Sequence, residues 1–228
     1  PDALPICTSK TDTTASYKAG SSYSLTGNVT LYALWKQIVP AKEIEIVDYT
    51  AGVKKGTIRY CNQNPIHAAD NGWRAADIPG CAGMCNRACG SMALSYLGID
   101  RSPSAMRDDD TIKKFEIALW YIPGEATHTA TFEDVTGKNI TIRVDGVFYT
   151  EPVFDRDYLD NMVEKFVDDN GQGNISPVIL HYDKTVGEKY SSHWLLLLGK
   201  NEDGSYQAIG PWSNSGYDAE RIKFKVWI

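Results

Sequence analysis

The segment Gly80-Cys-Ala-Gly-Met-Cys-Asn-Arg-Ala-Cys-Gly-Ser-Met-Ala-Leu-Ser-Tyr-Leu-Gly98 constrains the fold more than any other. Its small and apolar residues from about Cys85 to Leu97 predict a buried helix, and Gly98 stands where a helix ends in left-handed geometry. Three cysteines, Cys81, Cys85 and Cys89, crowd the mouth of that helix. Unpaired backbone N–H groups and the macrodipole favour negative charge at a helix N-terminus, so a thiol there is expected to ionise more readily than usual. Nucleophile, metal ligand and structural staple are the roles open to these residues.

The i, i+4, i+8 spacing would also set three thiols on one helix face, with His67 or His128 as a fourth ligand. Zinc sites commonly divide their ligands between two chain segments with short gaps, so a metal ranks last and none is expected. A bridge from Cys81 to Cys89, or from Cys61 to Cys81, would tie down the loop before the helix. Two bridges among Cys7, Cys61, Cys81 and Cys89 would leave Cys85 as the odd thiol of five.

Hydrophobic residues make up 43% of the 228 and aromatic ones 11%, enough for a packed core. A net charge of −6 argues against nucleic acid or an anionic membrane as the main partner. The longest apolar run, Trp194 to Leu198, is strand length, far below the roughly 20 residues that span a bilayer, so no membrane insertion is expected. Asp108-Asp109-Asp110 reads as a solvated turn. The chain opens at Pro1 with no signal sequence, as a mature or trimmed fragment would.

The first part of the chain differs in texture from the rest. Residues Thr11 to Thr30 are rich in Ser, Thr and Gly, and lead into Val29-Thr-Leu-Tyr-Ala-Leu-Trp35, which alternates like a strand. Residues 38–43 read as a linker around Pro40. Glu43 to Asp48 alternates again. Ser102-Pro103 is an N-cap followed by proline at the first helical position. Asp110 to Trp120 is a helix candidate, and Asp155 to Asp168 carries Leu159, Met162, Val163, Phe166 and Val167 on one helical face. Lys138 to Val144 and Val147 to Tyr149 bracket Asp145-Gly146 and predict a hairpin turning there. Four strand candidates close the chain: Pro177 to Tyr182, Ser192 to Gly199, Tyr206 to Pro211 and Ile222 to Ile228. Asp203-Gly204 turns the middle pair. A helix in the front half and an antiparallel sheet in the back half make the fold class α+β.

Nucleophilic chemistry at a cysteine needs an imidazole to hold the thiol proton, a group to orient that imidazole, and donors for the oxyanion. His193 opens the strand Trp194 to Leu198, where a base on a sheet edge would face the helix N-terminus. Gln63, in Tyr60-Cys-Asn-Gln-Asn-Pro65, precedes the helix and carries a side-chain amide donor. His67, His128 and His181 are assigned structural or exposed roles. Trp194 and Trp212 are assigned to the core ahead of a cleft.

Two stretches resemble known families. Tyr17 to Lys36, with its closing Asn28-Val-Thr-Leu-Tyr-Ala-Leu-Trp35, resembles the end of a Listeria–Bacteroides repeat, the small β-rich module of internalin-type surface proteins. That resemblance implies a partial repeat over residues 1–37 and a secreted or cell-surface home in Gram-positive bacteria. Residues 44–228 resemble the C39-like branch of the papain-like cysteine peptidases. The resemblance is carried by Tyr60-Cys-Asn-Gln63, Cys85 through Met92, Tyr96-Leu-Gly98, Ser192-His-Trp194, Gly199, Asp203-Gly204 and Ile209-Gly-Pro-Trp212. It implies a papain-like fold, a peptide or protein substrate (including a cell-wall peptide), no cofactor, and a catalytic set of Cys85, His193 and Gln63. The helix length of that family selects Cys85 over Cys89 and Cys81. The family's histidine-orienting Asp falls on Gly210, so the orienter must come from a backbone carbonyl, a water, or a group such as Asn214 or Asp218. That departure leaves open a catalytically impaired domain that binds without cutting.

Overall fold

A computed structural model describes residues 6–8, 11, 22, 24, 27–33, 43–64, 85–108, 124–148, 156–169, 175–186, 189–212 and 221–224. The chain divides into two units, Pro1–Val39 and Pro40–Ile228. In the first, β1 (Ile6–Cys7) pairs antiparallel with β2 (Tyr32–Ala33), setting Cys7 opposite Tyr32. Tyr32 is half-buried, whereas Val29 and Leu31 are exposed, and the end of the alternating run, Leu34 and Trp35, lies outside the described residues.

The second unit is α+β. Its order is β3 (Ile46–Val47), β4 (Ile58–Arg59), α1 (Cys85–Tyr96), α2 (Pro103–Asp108), β5 (Gly124–Glu133), β6 (Asn139–Phe148), α3 (Arg156–Asp168), β7 (Val178–Val186), β8 (Lys189–Lys200), β9 (Tyr206–Ile209) and β10 (Arg221–Phe224). The last four strands form one antiparallel sheet in the order β10-β9-β8-β7. The helix candidate Asp110 to Trp120 lies outside the described residues.

Strand alternation gives that sheet two apolar faces. Trp194, Leu196 and Leu198 of β8 and Ile209 of β9, with Ile179 of β7, join the core around α1. Leu195 and Leu197 of β8, with Tyr206, Ala208, Val178 and Leu180, pack on Leu159 and Val163 of α3. The amphipathic stripe predicted for Asp155 to Asp168 is buried at Leu159, Val163 and Phe166: the first two pack on this face of the sheet, Phe166 joins the core around α1 with its ring 5.5 Å from that of Tyr96, and Met162 and Val167 are half-buried. Asp160 of α3 braces the same face, accepting hydrogen bonds from Lys200 Nζ at 2.6 Å and from the Tyr206 hydroxyl.

α1 ends in a Schellman motif. The N–H of Gly98 donates to Ser95 O at 2.9 Å and that of Ile99 to Leu94 O at 2.9 Å. Gly98 has φ of 84°, the left-handed geometry its sequence position predicts. Ser102 caps α2, its Oγ accepting the Ala105 N–H at 3.0 Å.

The hairpin is displaced from its predicted turn. Asp145 and Gly146 lie inside β6, opposite Thr127 and Ala126 of β5, and the chain reverses at Asp134–Lys138 instead. Asp134 Oδ1 accepts the N–H groups of Thr136 at 2.9 Å and Lys138 at 3.0 Å, while Gly137 supplies a φ of 80°. A side chain that closes its own turn, followed by a left-handed glycine, outcompetes the Asp-Gly dipeptide and lengthens the ladder. Ala130, Phe132, Ile140 and Ile142 then share the buried face, and Thr131 and Thr141 the exposed one.

Candidate active site

Cys85 is the first residue of α1 and is buried. Nearby backbone N–H groups, those of Trp194, Asn86 and Cys85 itself, favour the thiolate. Burial outweighs them and pushes the thiol above its ordinary value. The helix N-terminus was expected to lower this pKa. The donors it supplies act in that direction, but desolvation of a buried thiolate costs more.

The Trp194 contact fixes where α1 meets the sheet. An N–H in a strand points to one side or the other within the sheet, and this one turns away from β7 to reach Cys85. The β8–β9 register runs from Lys200↔Tyr206 to Leu196↔Ile209. Trp194 therefore lies just beyond the end of β9. There the Cys85 sulfur takes the place of a ladder acceptor.

His193 precedes Trp194 in β8, is half-buried, and pairs with Tyr182 of β7. It has the parity of Leu195 and Leu197, whose side chains leave the sheet toward α3. The structure thus joins His193 to Cys85 through the Trp194 main chain, at the edge of β8, and not by a shared sheet face. The imidazole on the α1 face belongs to His181, which pairs with Trp194 and stacks on its indole, with centroids 4.6 Å apart and planes at 30°.

Gln63 belongs to a buried segment fastened along α1. Arg59 N donates to Ser95 Oγ at 2.9 Å, and two residues on the Cys61 thiol donates to Ser91 Oγ at 3.3 Å. Four residues of helix rise about 6 Å and two of extended chain about 6.6 Å, so the two segments keep step. The far side of the segment is tied to the end of β9: Gln63 N donates to Pro211 O at 2.7 Å and the Tyr60 hydroxyl to Gly210 O at 3.0 Å. The Gln63 side chain is buried, and its Oε1 has no hydrogen-bond partner.

Gly210, at the position where the family resemblance expects a carboxylate, is buried, and its carbonyl accepts the Tyr60 hydroxyl. Asn214 and Asp218, the substitutes considered above, lie outside the described residues. So do His67 and Cys81, and nothing is described of the His128 side chain.

Cys61, Cys85 and Cys89 are free thiols. The bridges considered above at Cys61 and Cys89 are thus not formed in this structure, while Cys81 lies outside the described residues. Cys89 lies one turn deeper than Cys85, fully buried, and burial pushes its pKa well up. Burial pushes Cys61 up to about 12. Among the described residues no group of three or more His, Cys, Asp or Glu could hold a metal ion. No described helix is long and apolar enough to cross a membrane.

No family model, no curated protein and no solved structure matches this chain. The site therefore rests on its own geometry. That geometry gives contacts to two residues that the sequence reading named without a role in the site, Tyr60 and His181. Tyr60 opens the Tyr-Cys-Asn-Gln stretch and was legible as a motif letter, but its hydroxyl contact needs the fold. His181 becomes visible only once the β7–β8 register is known, because that register sets it opposite Trp194.

Proposed function

We propose that residues 44–228 form a papain-like, C39-like cysteine peptidase in which Cys85 is the nucleophile, His193 the general acid–base and Gln63 an oxyanion donor. The observation that carries this reading is the Trp194 N–H on the Cys85 sulfur, at the first residue of a buried helix and one residue from His193. Gln63 adds a buried amide whose Oε1 has no hydrogen-bond partner, an acceptor that suits a donor on a ligand, such as a peptide N–H.

In this reading Cys85 gives its proton to His193, and its sulfur attacks a peptide carbonyl carbon. The oxyanion accepts hydrogen bonds from Gln63 Nε2 and the Cys85 N–H. Collapse breaks the C–N bond as His193 protonates the departing amine. A water, deprotonated by His193, then cleaves the thioester and restores the thiol. For this step the His193 imidazole, which shares the strand parity of the α3-facing Leu195 and Leu197, has to reach the sulfur around the edge of β8, where β9 has ended. No cofactor takes part. A secreted or cell-surface location would make proteins or cell-wall peptides the substrates.

Gly210 favours a second reading, a domain of the same fold that binds without cutting. An imidazole with no carboxylate to hold its tautomer can lose orders of magnitude in rate while the fold survives. Incubation with a peptide library and with peptidoglycan fragments separates the alternatives. New amino termini in the peptides support the peptidase, released stem peptides alone redirect it to wall hydrolysis, and retention of an uncut ligand supports the binding module.

A further inference from the structure

Cys89 is a second thiol on the core-facing stripe of α1, one turn below Cys85, and the proposed mechanism does not use it. Both thiols are free, and both join the core cluster around α1 with Ala88, Met92 and Tyr96. Side chains four apart on a helix are neighbours, with Cβ atoms about 5–6 Å apart, whereas a disulfide needs about 3.5–4.5 Å. Movement of one residue closes that gap, because Cys85 is the first residue of the helix. In the α-helical pattern its N–H makes no bond within α1, and its carbonyl accepts one, from the Cys89 N–H. Drawing Cys85 onto Cys89 therefore breaks a single bond of the helix and leaves the rest of α1 wound. Access separates the two roles: Cys85 is 7% exposed and Cys89 0%. The first turn of α1 also carries no acidic residue to repel a thiolate. Cys61, the remaining described thiol of this unit, is equally buried and engaged with Ser91 Oγ.

We propose that Cys85 and Cys89 are a redox pair: a hydroperoxide oxidises Cys85, and Cys89 captures it as a disulfide that stores the thiol in a latent, recoverable form. Latency of an activity rests on the peptidase reading of Cys85, whereas the bond itself does not. In the first step the Cys85 thiolate attacks a peroxide oxygen, the O–O bond breaks, and hydroxide leaves a sulfenic acid on Cys85. In the second, the Cys89 sulfur attacks the Cys85 sulfur. The S–S bond forms as the S–O bond breaks, and the departing hydroxide takes the Cys89 proton as water. The two sulfurs together lose two electrons, which the peroxide gains. Without Cys89 the sulfenic acid stays open to a second peroxide, which gives a sulfinic acid that thiols do not reverse.

The test is peptide mapping of the reduced full chain after hydrogen peroxide treatment at about pH 8.5, on the alkaline side because burial holds the Cys85 thiol above its ordinary value. Remaining thiols are blocked with iodoacetamide, and trypsin, without reductant, cuts after Arg87, between the two cysteines. Peptides 75–87 and 88–101 should emerge joined by a disulfide, with fragment ions placing the bond on Cys85 and not on Cys81. In Cys89→Ala no joined peptides should form. The fraction of Cys85 that dithiothreitol returns to an alkylatable thiol should there fall at least about fivefold, as sulfinic acid accumulates. A disulfide from Cys81 to either residue overturns the proposal. So does sulfinic acid on Cys85 of the wild type while Cys89 stays alkylatable, and so does wild-type recovery in Cys89→Ala. If Cys89→Ala does not fold, the wild-type map decides alone. Joined peptides in a chain that cuts no peptide uphold the pair and sink the peptidase reading. Peptide cleavage by a chain that forms no such bond does the reverse.

Discussion

The backbone N–H of Trp194 ends on the sulfur of Cys85, so the first residue of α1 completes the edge of β8 where β9 stops. The other two described thiols of the second unit have no such edge. Cys61 and Cys89 are 0% exposed, against 7% for Cys85. Native protein treated with iodoacetamide near neutral pH should therefore label Cys85 first, with Cys61 and Cys89 reacting only once denaturant is added. Peptide mapping of the adducts checks this, and early labelling of Cys61 or Cys89 would overturn the burial argument.

Alkaline pH should destabilise the fold. Folding raises the Cys61 thiol from 9.0 to about 12 and the Tyr49 phenol from 10.0 to about 12, in both cases chiefly by burial. The unfolded chain then sheds protons that the folded chain keeps, so stability present in full below pH 9 is lost as pH rises from 9 toward 12. Thermal melts in that window should show a falling Tm, with a shallower fall in Cys61→Ala than in wild type.

Tyr60→Phe removes the donor to Gly210 O and leaves a buried carbonyl without its partner. A loss of about 1–3 kcal/mol in urea unfolding is expected. Because the same contact ties the Gln63 segment to the end of β9, any peptide cleavage should weaken along with stability. A variant as stable as wild type would show that the hydroxyl contact is dispensable.

Gly98→Ala tests the end of α1. A side chain at φ of 84° is strained, and its Cβ would lie 3.3 Å from Lys55 Cβ. The strain costs about 1 kcal/mol, which for a unit of this size lowers Tm by about 2–4 °C. Differential scanning calorimetry reads the shift.

Much of this framework was legible in the chain itself. Gly98 and Ser102-Pro103 announced their helix ends because caps are local chemistry, settled by side chains within a few residues of each other. The apolar stripe Leu159, Val163 and Phe166 and the four closing strands were legible for the same reason: periodicity is written along the chain. Asp145-Gly146 misled because a dipeptide propensity is weak beside the Asp134 side chain closing its own turn four residues before Lys138. The partnership of His181 with Trp194 was hidden because pairing register is a property of two strands at once. The Cys85 environment was half legible, since the helix donors follow from position while the desolvation that outweighs them follows from packing.

The most direct test of the central claim is hydrolysis of a peptide library by the full chain, with new amino termini counted by mass spectrometry in wild type, Cys85→Ala, His193→Ala and Cys89→Ala. Cleavage present in wild type, abolished in Cys85→Ala, lowered at least about a hundredfold in His193→Ala and retained in Cys89→Ala is the predicted result. Cleavage undiminished in Cys85→Ala, or absent from the wild-type chain altogether, would contradict it.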